Sequence, residues 1–267
     1  MHMNTENQYD AYTPAEMTKH VESIGVTKAK LPNVKLLVLA ILAGALIAFG
    51  GMFYTLVITK SGLGFGPERL LGGIAFSLGL ILVVVGGAEL FTGNNLIVMA
   101  WADRKITTVQ LLRNWFFVYL GNFVGALATA LIVSWSGLFE LGNGAVAETA
   151  IRIAEAKVNL SFDQAFIKGV LCNVLVCLAL WLCFAAHTVA SKILAIVFPV
   201  SAFVALGFEH SVANMYLIPV GMLAGATQVT VMGFFENLAF VTLGNIVGGS
   251  VLVALVYWLA YVKFDKT

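Results

Sequence analysis

Six stretches of this chain are each apolar for roughly the 20 residues that a helix needs to cross the hydrocarbon core of a bilayer. They run at about 36–59, 70–100, 114–135, 161–186, 193–220 and 237–262. The chain is 60% hydrophobic and 11% charged, with a mean hydropathy of +0.93. A soluble domain of 267 residues could not hide that much apolar surface, so the bilayer must be the solvent for most of it. The expected architecture is all-α with six spans: a polar segment at 1–35, a transmembrane domain at 36–262 and a short tail at 263–267.

What remains outside the spans excludes several classes. A net charge of +1 with no basic tract gives no reason to expect nucleic acid as a partner. The polar start is not a cleavable signal peptide. Cys172, Cys177 and Cys183 lack a C-x-x-C spacing and read as small core residues, so no metal and no cofactor is expected.

With six spans the termini share a side. Placing both in the cytoplasm leaves ten lysines and arginines inside against five outside, which the positive-inside rule favours, in a plasma membrane. Ahead of the first span, Thr13, Pro14 and Glu16 form a capping-box start and Gly25 a stop, predicting a short amphipathic helix on the cytoplasmic surface. From periodicity it is an anchor or a gate.

The chain also repeats itself. "NWFFVYLGNFVGA" from Asn114 and "NLAFVTLGNIVGG" from Asn237 match at eight of thirteen positions, at an offset of 123 residues. At an offset of 120, Gly87, Glu89 and Asn94 fall on Gly207, Glu209 and Asn214, a shared G-x-E-x-x-x-x-N inside the second and fifth spans. Each half holds three spans, so the second must be inverted, and matched interruptions in inverted halves point to a pathway at the midplane. The plan is similar to that of aquaporins, although an Asn-Pro-Ala box is absent.

Polar residues at membrane depth default to function. Glu89 and Glu209, with Asn94 and Asn214, sit where a helix breaks, and a carboxylate there could satisfy the freed backbone N–H groups. His210 has no twin: Leu90 stands in its place, with Thr92 nearby. An imidazole titrates near neutrality, so an anion brought close could take a proton from it. Lys157, near the outer end of the fourth span, could concentrate anions by its field or be an ordinary interfacial lysine.

At "AELFTGN", "GVLCNVLVCLA" and above all "FVALGFEHSVANMYLIP" the chain resembles the formate/nitrite transporter family, formate channels most, over nearly its whole length. The resemblance implies an aquaporin-like six-span protomer with its own pore, assembled as a homopentamer and passing small weak-acid anions. Formate is the first expectation, with nitrite, hydrosulfide, acetate and lactate behind it. It implies an inner constriction at Phe76, Leu80 and Phe203, and an outer one at Leu90, Phe91 and Val176. Between them it implies a polar trio of Thr92, Asn173 and His210, with Lys157 as a vestibule lysine. It also implies that the N-terminal helix is a pH-responsive gate. Two departures stand at the break: "GNNL" follows "LFT", a form also seen in nitrite and hydrosulfide relatives, and Glu89 occupies a frequent aspartate position. No enzyme is expected. An intramembrane serine protease would need a Gly-x-Ser-Gly site facing a histidine, and neither "SWSG" nor "GGSV" is placed for it.

Overall fold

The computed structural model describes residues 11–264, so the first ten residues of the expected N-terminal segment and the last three of the tail lie outside it. Every regular element among the described residues is helical. Four uninterrupted helices are long and apolar enough to span: α2 (Asn33–Ile58), α3 (Phe65–Gly86), α5 (Thr108–Ser134) and α7 (Phe162–Ala185). A fifth begins as α10 (Val231–Ile246) and runs on through π-helical turns, Val247–Leu255 and Leu259–Lys263.

The expected fifth span is two shorter apolar helices, α8 (Val189–Ala205) and α9 (Ser211–Leu223). Gly207, at φ 72°, turns the chain between them. The second span breaks in the same way. Gly87, at φ 75°, ends α3, and the chain resumes as a 3-10 turn at Gly93–Ile97 and a short α4 (Val98–Ala102). Both glycines adopt the left-handed conformation that side-chain-bearing residues rarely take.

Two helices lie beside the spans. α1 (Pro14–Ala29) starts at the Thr13–Glu16 capping box, as the sequence predicts. Gly25 does not stop it. A Cβ there would come within 3.1 Å of Ala100, so the glycine serves a close approach to α4. α1 is no peripheral anchor: Met17, Val21, Glu22 and Ala29 are buried against the rest of the chain. α6 (Ala145–Val158) is a separate helix that the hydropathy pattern does not announce, and it carries Lys157, which therefore lies outside the fourth span.

These two extra helices extend the repeat. Lys28 at the end of α1 corresponds to Lys157 at the end of α6, and Asn33 at the start of α2 to Phe162 at the start of α7. The duplicated unit therefore begins with α1, inside the segment assigned from hydropathy to the cytoplasm. In each half two helices cross at glycines. A Cβ on Gly125 of α5 would lie 1.9 Å from Ile41 O of α2, and one on its twin Gly248 would lie 2.1 Å from Val170 O of α7. In lipid such contacts replace the hydrophobic drive between helices.

Gly125→Ala should therefore push α2 from α5 and destabilise the protein by about 1–3 kcal/mol. Thermal unfolding in detergent checks this, with Gly66→Ala, where a Cβ meets nothing within 4 Å, as the unperturbed control.

Candidate functional site

The two breaks face each other, and two lateral amides hold their freed backbones. Asn122 of α5 accepts from Phe91 N–H at 2.9 Å and donates to Ala40 O and Glu89 O at 2.7 and 2.9 Å. Its twin Asn245 of α10 accepts from Ser211 N–H at 2.9 Å and donates to Gly169 O and Glu209 O at 2.8 and 3.0 Å. Each amide thus satisfies one donor and two acceptors that a broken helix leaves behind in a place without water.

The two glutamate side chains do other work, contrary to expectation. Glu89 Oε1 takes the ammonium of Lys28 at 2.9 Å, and Oε2 accepts from Asn94 at 2.8 Å. Glu209 takes the ammonium of Lys157 at 3.0 Å and accepts from Asn214 at 2.6 Å. Asn94 also donates to Asn114, which donates to Lys28 O; Asn214 donates to Asn237, which donates to Lys157 O. A buried carboxylate needs a counter-charge, which a cation supplies better than amide N–H groups do. Backbone that has lost both donors and acceptors needs an amide. The sequence carries this signal, since Asn114 with Asn237 and Asn122 with Asn245 are two of the eight matched repeat positions. Lys28 lies outside the matched strings, and only its place in the fold pairs it with Lys157.

Each cluster borders a cavity. One, of about 220 Å³, lies beneath α1 and is lined by Lys28, Glu89, Leu80, Leu90, Leu180 and Phe184. The other, of about 360 Å³, is lined by Lys157, Glu209, His210, Tyr54, Phe76 and Phe203 among others. Glu68 and Arg69 from the start of α3 face the second cavity, and Val83 and Val84 near its end face the first, so the cavities lie at opposite ends of that helix. Phe76 and Leu80, one turn apart on α3, separate them.

This arrangement changes the expected constrictions. Phe76 and Phe203, expected on the side of the N-terminal helix, line the Lys157 cavity with their rings 5.8 Å apart and edge to face. Leu90, expected beside Lys157, lines the cavity under α1, as does Leu80. Phe91 lines neither: its ring packs on Trp115 and Tyr119 of α5. Val176 is buried in the core and borders neither cavity. The alternation of side chains at an irregular turn cannot be read from sequence, and adjacent Leu90 and Phe91 point apart.

His210 stands at the dividing layer, 3% exposed, with its ring stacked 6.0 Å from Phe203. It is the N-cap of α9, its Nδ1 accepting from Ala213 N–H at 3.0 Å. The neutral ring therefore carries its proton on Nε2, which reaches Thr92 Oγ1 at 2.9 Å. Thr92 and His210 are thus in direct contact. Asn173 does not touch them side chain to side chain: its Nδ2 donates to Thr92 O, Asn95 Oδ1 and Asn245 O. It occupies the position that Gly44 holds in the other half, where a Cβ would lie 2.1 Å from Asn122 O. Among the described residues no cluster suits a metal ion, and the three cysteines are buried and unpaired.

Two chambers at opposite ends of a helix, parted by an aromatic and aliphatic layer with one imidazole in it, mark a helical membrane protein of the channel and transporter class. The chain belongs to the formate/nitrite transporter family, whose model matches residues 15–259. It is 42% identical over 280 residues to the formate channel FocA of Escherichia coli (strain K12), covering 98% of each chain. It is 44% identical over 269 residues to the probable formate transporter of Methanothermobacter thermautotrophicus, covering 94% of this chain and 97% of that one. A solved structure described as a pentameric formate channel with formate bound superposes with a TM-score of 0.79 at 38% identity, over 86% of this chain and 98% of the other. A family ion channel superposes with a TM-score of 0.84 at 31% identity, over 92% and 98%.

Asn245→Leu should strand Ser211 N–H and two carbonyls at the break. The expected loss is about 3 kcal/mol or more, since three buried groups each lose a partner. Asn245→Asp, which cannot donate, should be little better, and thermal unfolding in detergent distinguishes both from wild type.

Proposed function

We propose that this protein passes formate across the plasma membrane as a homopentamer with a pore in each protomer, both termini cytoplasmic. In that orientation the cavity under α1 opens inward and the Lys157 cavity outward, and Phe76 and Phe203 form the outer constriction. Leu80 and Leu90 form the inner one. The support comes from relatives that are formate channels and from one observation: a buried imidazole N–H, paired with a hydroxyl, between two apolar layers.

An anion entering that layer loses its water, and a bare charge there is costly. The Nε2–H of His210 and the Thr92 hydroxyl are the donors that replace it. Transfer of a proton from His210 turns formate into neutral formic acid, which crosses the apolar layer more easily. The capping bond sets a condition on that transfer. Giving up Nε2–H from a neutral ring would leave an imidazolate, so Nδ1 must first gain a proton. Nδ1 faces an amide N–H, so the ring must leave Ala213 to be loaded. The imidazolium then gives Nε2–H to formate and is left with its proton on Nδ1. It re-seats as the cap once that proton departs and Nε2 is reprotonated.

Among small weak-acid anions, formate is the reading because the relatives that this chain matches are formate channels, and its carboxylate can accept from the two donors at once. His210→Asn tests the relay, because asparagine caps helices as well as any residue and cannot titrate. In proteoliposomes, proton-coupled formate uptake should fall at least about tenfold while the anion current persists, as expected when a general acid is removed. Unchanged coupled uptake would remove the relay, and a clear preference for nitrite in competition would remove the formate assignment.

A further inference from the structure

The two cavities are built by one repeat, yet their charge differs. Beneath α1 one cation and one carboxylate, Lys28 and Glu89, line the wall and are bound to each other. Around the His210 cavity stand four cations, Arg69, Arg152, Lys157 and Lys168, against two carboxylates, Glu68 and Glu209.

Two of the four cations are already committed. Lys157 lies 3.0 Å from each oxygen of Glu209. Arg69 donates to Ala205 O and Val204 O at the end of α8. Arg152 and Lys168 make no ion pair and no side-chain hydrogen bond among the described residues. Glu148 and Glu155 lie four residues before and three after Arg152 on α6, but neither forms an ion pair with it. Tyr54 lines the same cavity, its hydroxyl also without a partner among the described residues. Its ring rests edge-on against Phe76, 6.4 Å between centroids, which sets the phenol at the rim of the apolar layer.

We infer that Arg152, with Lys168 and the Tyr54 hydroxyl, forms an anion-capture site at the mouth of the His210 cavity, suited to small carboxylates. Lys157, the cation singled out by sequence, has its charge neutralised and two of its three N–H donors engaged by Glu209. Arg152 is exposed and unpaired, so its guanidinium is free to take an incoming anion. Its planar fork matches the two oxygens of a carboxylate, a geometry that hydrosulfide, with a single sulfur acceptor, cannot use. A surplus of positive charge within a low-dielectric wall raises the local anion concentration. Of the two cavities only this one holds the surplus, so capture is a property of the Lys157 cavity.

This inference deepens the formate reading and is tested apart from it. The full-length protein is reconstituted, and initial formate uptake is measured against formate concentration at ionic strengths of about 0.01 and 0.15 M, where the screening length is about 30 and 8 Å. Arg152→Gln should raise the half-saturating formate concentration about fivefold, with a weaker dependence on salt, the change lying in half-saturation and not in the maximal rate. Arg152→Lys should keep the salt dependence and lose part of the preference for formate over hydrosulfide. If Arg152→Gln does not assemble, Lys168→Gln and Tyr54→Phe, on other helices, should each raise half-saturation. Unchanged half-saturation in the folded variants would overturn the capture site. Binding of labelled formate to the detergent-solubilised protein, followed by saturation-transfer NMR, provides a readout without transport. Wild-type binding that Arg152→Gln weakens about fivefold, without wild-type flux, removes the formate-channel reading and keeps the capture site. Absence of both removes both.

Discussion

The fold depends on two side-chain amides. A helix broken inside a membrane exposes backbone donors and acceptors that no water will meet, and each such group costs several kcal/mol if left alone. Asn122 and Asn245 reach across from α5 and α10 and satisfy both kinds at once, joining the break to the neighbouring helix through Ala40 O and Gly169 O. With the backbone tied there, Gly87 and Gly207 can turn the chain and the space beyond each helix end can stay open. The cavities follow from that opening.

Duplication supplies the frame twice, and the departures from symmetry supply the chemistry. Lys28 with Glu89 and Lys157 with Glu209 repeat the same cluster of bonds at opposite ends of the passage. Leu90 and His210 occupy matched places, and only one can donate a hydrogen bond. Gly44 and Asn173 are matched too. The glycine allows a backbone to approach, whereas the asparagine binds the Thr92 carbonyl and so holds the hydroxyl-bearing residue against the imidazole. The third departure is charge, balanced at one mouth and in excess at the other.

His210 is a structural cap and, in the function proposed above, the polar centre as well. The bond from Ala213 N–H sets its tautomer and aims Nε2 at Thr92. The same bond opposes protonation at Nδ1. Any proton movement through this ring is therefore coupled to the first turn of α9, which makes the start of that helix the mechanical element of the relay proposed above.

Much of this was legible in the residues. The apolar runs, the interruptions at "GGAELFTGNN" and "GFEHSVAN" and the matched asparagines are local properties of the chain, and hydropathy and period report them directly. So did the capping box of α1, which needs only Thr13 and Glu16 three residues apart. The tertiary structure decided the rest. That Lys28 meets Glu89, 61 residues away, depends on how α1 packs and not on any neighbour in sequence. That α6 forms outside the spans, that Leu90 and Phe91 face different ways and that Arg152 is left unpaired while Lys157 is neutralised follow from the same cause. A sequence specifies which groups must be satisfied, and only the packed chain settles which partner satisfies each.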